Sequence, residues 1–374
     1  MDSNIISITM PKWGLAMKEG SVVKWLKEEG DQVKKGEPIV EIETEKVVNE
    51  FESPEEGILV KKCCELDDKI PVGSLMALFS NSKDLSDELI NNHINEFNEN
   101  FKVTSETDSE DSLSTKKIDI NGFSINYLHL PNNDNNKNII LIHGFGGDLN
   151  NWMFNQEDLA QDFNVYSLDL PGHGLSSKDF NNIDISILSK AITEFCEKNN
   201  IEKVNLIGHS FGGGISIKCA IDEPNLVESL TLISPIGLGK EIESSYLEGF
   251  ISSDNRRELK AELEKLYFQP DIITRDLLNE VLKVKRFDGI TEALEMIKNE
   301  IVENGSQKTN FIEEINKLEL NISIIWGKED KIIPSHQAND LNKNIKINIL
   351  DECGHMAHIE KPQEINKFIR DNIN

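Results

Sequence analysis

Val204-Asn205-Leu206-Ile207-Gly208-His209-Ser210-Phe211-Gly212-Gly213-Gly214 runs from an apolar strand, through G-x-S-x-G, into small residues that open a helix. A strand-to-helix turn this sharp forces its central residue into a strained backbone conformation, and glycines at 208 and 212 leave room for neighbouring backbone to pass close. Ser210, at the tip, is therefore a candidate nucleophile. A serine hydroxyl is a weak nucleophile at its own pKa, so it needs a base, and the base needs an orienting acid. Both stand downstream. The strand Ile322 to Trp326 leads through Gly327-Lys328-Glu329 to Asp330, and Leu350-Asp351-Glu352-Cys353-Gly354 leads to His355.

Around these motifs the second part of the chain has one pattern. Asn121-Gly122 marks a tight hairpin, and Asn138 to Ile142 is a continuous apolar strand ending at His143-Gly144. Apolar strands at Val165–Leu168, Val204–Ile207, Leu230–Ile233, Ile322–Trp326 and Ile345–Leu350 alternate with helical stretches, which predicts a mostly parallel sheet covered on both faces. Between about 237 and 315 the strand pattern lapses. Amphipathic charged stretches such as Arg256–Leu266 and Ile290–Val302 predict a helical cap inserted over the sheet.

The order Ser210, Asp330, His355, with the elbow in its strand–turn–helix context, resembles the α/β-hydrolase family over residues 117–374. The resemblance favours Asp330, in a G-x-x-D turn, over Glu329 as the acid. It favours His355, in a G-H loop, over His358 as the base. His143-Gly144-Phe145-Gly146-Gly147 follows the strand that delivers an oxyanion donor in that family, which implies a pair of backbone N–H groups from Phe145 and Phe211. His143 and His209 read as structural, and Asp169-Leu170-Pro171-Gly172-His173-Gly174 as a family turn without chemistry of its own. His93 and His129 read as solvated and His336 as lying at a helix start; no histidine has a metal-like companion at fixed spacing, so no metal is expected.

The first part of the chain reads differently. Residues 5 to 79 are short alternating strands punctuated by Gly14, Gly20, Gly30, Gly36, Gly57 and Gly73, a small all-β unit. Glu41-Ile42-Glu43-Thr44-Glu45-Lys46-Val47-Val48 sets one lysine between two strand halves, where a hairpin would hold it out into water. Alone, that is an ordinary surface lysine. With Met10-Pro11-Lys12-Trp13-Gly14 and Glu29-Gly30-Asp31 to Gly36-Glu37-Pro38 upstream, the segment resembles the lipoyl domains of 2-oxo-acid dehydrogenase complexes, which are flattened β-sandwiches. That resemblance implies residues 1–80 as a carrier domain with lipoate in amide linkage on Lys46. A biotin carrier is the sister reading, but that family brackets its lysine with methionines, whereas Lys46 lies between Glu45 and Val47.

Residues 81–116 shift to Asn, Ser, Asp and Glu and read as an acidic flexible linker, with a reach of roughly 30–35 Å if fully solvated. Leu85, Leu89, Ile90, Ile94, Phe97 and Phe101 permit a short amphipathic helix within it. The net charge of −27 disfavours nucleic acid and anionic membranes as partners. Five cysteines without C-x-x-C spacing fit a reducing compartment, and no apolar run approaches the roughly 20 residues of a membrane span, so a soluble cytoplasmic protein is expected.

A carrier domain joined to a hydrolase-fold domain resembles the acyltransferase component of bacterial acetoin dehydrogenase systems. It lacks the H-x-x-x-D-G core of ordinary dihydrolipoamide acyltransferases: Asp288-Gly289 has Val284 where the histidine would stand. The resemblance implies transfer of an acetyl group from dihydrolipoyl-lysine to coenzyme A, with dehydrogenase and dihydrolipoamide dehydrogenase components as partners. Two alternatives stay open: a lipoyl-tethered hydrolase that uses water as acceptor, and a carrier whose hydrolase domain only binds.

Overall fold

The computed structural model describes residues 5–11, 19–44, 47–82, 85–86, 89–95, 97–98, 101, 115–132, 135–180 and 182–373. They divide into two units at 113/114. In the first, β1 (Ile5–Thr9), β2 (Glu19–Trp25), β3 (Gln32–Val33), β4 (Pro38–Thr44), β5 (Val47–Glu52), β6 (Gly57–Lys62), β7 (Lys69–Pro71) and β8 (Leu75–Ser80) form two four-stranded sheets. Their orders are β1-β8-β6-β3 and β5-β4-β2-β7. Ile8, Val22, Ile39, Ile42, Leu59 and Phe79 fill the core between them, and strand alternation turns the charged partners outward.

The expected solvated linker departs from that reading in its first half. Residues 89–95 form a helix, α1. Ile90, Ile94 and Phe97 pack on Leu75 and Leu78, and His93 exchanges a hydrogen bond of 2.9 Å with Ser7 Oγ. His93 is therefore not solvated: the apolar stripe that made a helix possible also gave it a surface to cover. Residues 102–114 lie outside the described residues.

The second unit begins with β9 (Lys116–Ile120) and β10 (Phe123–Leu130), joined by Asn121-Gly122 with φ of 49° and 85°. That is the positive-φ pair a two-residue hairpin needs. There follow β11 (Asn138–Ile142), α2 (Gln156–Leu159), β12 (Asn164–Leu168), α3 (Ile185–Lys198), β13 (Val204–His209), α4 (Phe211–Asp222) and β14 (Val227–Ile233). A helical insertion comes next: α5 (Ser244–Ser252), α6 (Arg256–Leu263), α7 (Arg275–Lys285), α8 (Ile290–Ile301), the small hairpin β15 (Val302–Glu303) and β16 (Ser306–Gln307), and α9 (Ile312–Ile315). The chain closes with β17 (Asn321–Gly327), β18 (Lys346–Leu350), α10 (Ala357–Glu360) and α11 (Pro362–Ile373).

The eight strands are ordered β18-β17-β14-β13-β11-β12-β10-β9. From β12 to β18 the pairing is parallel, and β10 and β9 are antiparallel. The continuous apolar runs follow from burial on both faces. Ile140, Leu206, Leu230 and Ile324 point into one core with α3, α4 and the helical insertion, while Ile139, Ile207, Ile233 and Ile325 point into the other with α11. Among the described residues no helix is long and apolar enough to cross a membrane.

The turn at Ser210 depends on backbone contact. A methyl group on Gly212 would strike the carbonyl oxygens of Ile142 and His143, at the end of β11. Gly212→Ala is expected to destabilise the fold by about 1–3 kcal/mol through this overpacking. The clash outweighs the gain of up to about 1 kcal/mol that alanine brings to a helix interior. Urea unfolding of the variant checks this, and a midpoint at or above that of the parent contradicts it.

Candidate active site

Ser210 sits between β13 and α4 with φ 53° and ψ −113°, a conformation that side chains rarely adopt. It lines a cavity of about 70 Å³ together with Gly144, Phe145, His209, His355 and residues of the helical insertion. The ideal Cβ position on Gly144 lies 3.1 Å from Ser210 Cβ and 2.8 Å from His209 Nδ1, so the segment after β11 runs directly against the elbow.

His355 and Asp330 are both buried, and Asp330 Oδ2 lies 2.8 Å from His355 Nδ1. The acid is heavily solvated by the protein itself. Oδ1 accepts the backbone N–H groups of Ile332 (2.8 Å) and Ile333 (2.9 Å), and Oδ2 also accepts Trp326 Nε1–H at 3.0 Å. These donors hold the Asp330 carboxyl group in place, aimed at the imidazole. Ser210 Oγ and the His355 ring share the cavity without a hydrogen bond; such contacts commonly tighten only when substrate is bound.

The rival residues have other employment. Glu329 accepts the N–H of Cys353 and donates its own backbone N–H to the Cys353 carbonyl, tying the acid loop to the base loop. His358 is wholly buried between the rings of Trp152 (4.5 Å) and His209 (4.6 Å), with neither ring nitrogen partnered among the described residues.

The backbone N–H groups of Phe145 and Phe211 donate to nothing among the described residues, and Phe211 opens α4, where the helix dipole adds positive potential. Their segments meet where Gly212 lies against the end of β11. Together they can hold a developing oxyanion beside Ser210.

Several supporting residues carried no readable signal. His173 Nε2 accepts the N–H of Gly146 (3.1 Å), and His143 Nε2 accepts that of Leu170 (3.0 Å), so the turn at 169–174 latches the loop that bears Phe145. His209 Nε2–H donates to the His355 carbonyl at 3.0 Å. Glu360 accepts the N–H groups of Gly354 and Phe268, both at 2.8 Å, and clamps the base loop to the insertion; burial raises its pKa. His129, expected to be solvated, is half-buried and stacked on Tyr166 at 4.2 Å, and burial lowers its pKa. His336 starts a 3₁₀ turn and pairs with Glu241.

Two family models match this chain: one described as alpha/beta hydrolase fold over residues 137–362, and one described as biotin-requiring enzyme over residues 6–79. The dihydrolipoyllysine-residue acetyltransferase component of the acetoin cleaving system of Cupriavidus necator is 34% identical over 369 residues, 99% of this chain and 97% of that protein. The Pseudomonas putida protein of the same name is 35% identical over 365 residues, 98% of this chain and 97% of that one. The chain belongs to this acetyltransferase-component family. Among solved structures, the meta-cleavage product hydrolase of Pseudomonas fluorescens superposes with a TM-score of 0.62 at 22% identity, covering 69% of this chain and 97% of that one, and shares the fold. The acetyltransferase-component family thus joins a carrier-type unit to an α/β-hydrolase unit in one chain.

Burial, and then the neighbouring His355, push the pKa of His358 down to about 3. The folded protein thus keeps this ring neutral, so its contribution is present above the ordinary value near 6.5 and is lost as pH falls towards 3. His358→Phe is expected to remove about 2 kcal/mol of the stability lost between pH 7.5 and pH 5. Urea unfolding at both pH values measures it, and equal losses in parent and variant contradict it.

Proposed function

We propose that the chain is the acyltransferase component of an acetoin cleaving system and moves an acetyl group from dihydrolipoyl-lysine to coenzyme A. The observation that carries this reading is similarity across both units at once: relatives of that name align over 98–99% of the chain, not over the hydrolase unit alone. Residues 1–80 are the carrier domain and 117–374 the catalytic domain, with the cap at about 237–315. Dehydrogenase and dihydrolipoamide dehydrogenase components are the expected partners. Five free thiols suit the cytoplasm.

Lipoate on Lys46 fits the β4–β5 hairpin. Strand pairing runs to Thr44↔Val47, which makes Glu45 and Lys46, themselves outside the described residues, the two-residue connection. Its flanks, Glu43 and Val48, are exposed. When bound there, lipoate supplies a thiol that carries an acyl group as a thioester on a long arm.

In the catalytic domain Ser210 Oγ attacks the thioester carbonyl carbon as His355 takes the hydroxyl proton, and the Phe145 and Phe211 N–H groups receive the charge on oxygen. Cleavage of the C–S bond expels a thiolate, which takes the proton from His355 and leaves acetyl-Ser210. His355 then removes the proton of an acceptor thiol as its sulfur attacks the ester carbonyl carbon; the C–Oγ bond breaks and His355 returns the proton to Ser210 Oγ. Asp330 keeps the imidazole in the tautomer that presents Nε2 to the serine.

A second reading, with water as the acceptor, is favoured by one observation: among the described residues no lysine or arginine lines the cavity to meet the phosphates of coenzyme A. Both readings are tested with S-acetyl-dihydrolipoamide, with and without coenzyme A, following acetyl-coenzyme A against acetate. Acetyl-coenzyme A is expected, at a rate lowered at least about 10⁴-fold in Ser210→Ala. Acetate released equally fast with and without coenzyme A would replace the first reading with the second.

A further inference from the structure

The cavity beside Ser210 is walled by apolar side chains such as Ile236, Leu247, Phe250, Leu266 and Met356. Its few polar groups are mostly committed. Asn151 Oδ1 accepts the N–H of Asp148, His209 Nε2 serves the His355 carbonyl, and His355 Nδ1 serves Asp330. Besides Ser210, His355 Nε2 and the Asn151 amide N–H groups, that leaves Tyr246 on α5 and Tyr267 in the connection after α6. Each is only 4% exposed. Neither hydroxyl has a hydrogen-bond partner among the described residues.

A largely buried phenol ordinarily finds a hydrogen-bond partner for its hydroxyl, and neither of these oxygens is sealed off: both residues line the cavity, from which an acceptor can reach them. Burial, reinforced by the nearby Tyr267 and Glu262 for Tyr246 and by Glu360 for Tyr267, raises both pKa values, so both remain O–H donors. The pair therefore awaits an acceptor atom. The acetyl group cannot supply it, because its single oxygen is claimed by the N–H groups of Phe145 and Phe211. The acceptor must belong to the thiol that brings or removes the acetyl group.

Resting on the acyl-transfer reading above, we propose that Tyr246 and Tyr267 are specificity-determining residues that donate hydrogen bonds to an amide carbonyl on a thiol-bearing arm. The apolar wall between them and Ser210 takes the arm's methylene groups. A secondary amide separated from sulfur by methylenes occurs both in the lipoyl arm and in the pantetheine arm of coenzyme A, and the test separates the two. It also explains how a cavity with no lysine or arginine among the described residues selects its substrate: it reads the arm's amide and leaves charged groups outside.

The test measures kcat and KM separately for the full-length protein, Tyr246→Phe, Tyr267→Phe and the double variant, with unchanged urea midpoints confirming the fold. Donors are S-acetyl-dihydrolipoamide and S-acetyl-octanethiol, which lacks the amide; acceptors are pantetheine and ethanethiol. The preference for the amide-bearing compound, as a ratio of kcat/KM, is expected to fall about 10–100-fold in the double variant, chiefly through KM. A fall on the donor side assigns the lipoyl arm, and one on the acceptor side the pantetheine arm. Preferences that stay the same on both sides overturn the proposal and leave the tyrosines as cavity walls. Equilibrium binding of S-acetyl-dihydrolipoamide and of pantetheine to Ser210→Ala, with and without the tyrosine substitutions, reads the same discrimination without turnover. It therefore distinguishes failure of this proposal from failure of the acyl-transfer reading.

Discussion

Close backbone approach at Gly212 is the constraint on which the site depends. Helix α4 can begin immediately after Ser210 only because nothing projects from position 212 towards the carbonyls of Ile142 and His143. That approach brings the end of β11 beside the elbow and so sets the Phe145 loop beside Ser210. It also leaves the N–H of Phe211 pointing out of the first turn of α4 with no acceptor. The strain at Ser210, with φ 53°, is held by these contacts from both sides, since the Ser210 N–H donates to Ile233 and its carbonyl accepts from Gly213 and Ile236.

A second dependence runs through buried polar groups. The buried Asp330 carboxyl oxygens are all answered, by Ile332, Ile333, Trp326 and His355, so none is left unpartnered in the interior. Trp326 is the last large side chain of β17, and its indole reaches forward to both Asp330 and the Ile333 carbonyl, fixing the acid loop to the strand that presents it. On the opposite side, His209 and Leu266 fix the backbone of His355, the former through its carbonyl and the latter through its N–H. The loops of Asp330 and His355 are therefore positioned by separate elements and joined both by the Asp330–His355 contact and by the hydrogen bonds between Glu329 and Cys353.

How much of this was legible depended on whether a residue acts through the backbone pattern or through a single distant contact. The strands were readable because each inner one is buried on both faces and so is mostly apolar, as Val204–Ile207 and Ile322–Trp326 are apart from Asn205 and Ser323. Ser210, Asp330 and His355 were readable because each follows a strand's C-terminal end. By contrast, the latch of His173 on Gly146 and the clamp of Glu360 on Gly354 and Phe268 join residues 27, 6 and 92 positions apart, and no local spacing announces them. The helix at 89–95 was half-legible. Its apolar stripe was visible, but the surface of Leu75 and Leu78 that orders it was not.

The same distinction separates chemistry from selectivity in this chain. The candidate nucleophile, base, acid and oxyanion donors all come from the sheet and its loops, whose geometry is fixed by hydrogen-bonded register. Much of the apolar wall of the cavity and its two unpartnered hydroxyls come instead from the insertion around α5 to α7, where packing does more than register to set the shape. A wall made by packing tolerates substitution of one apolar side chain for another, so it leaves little trace as a motif. A phenol is different, because its hydroxyl must be answered by some oxygen once water is excluded. Tyr246 and Tyr267 are thus the points at which an otherwise permissive cap imposes a chemical requirement on whatever thioester enters.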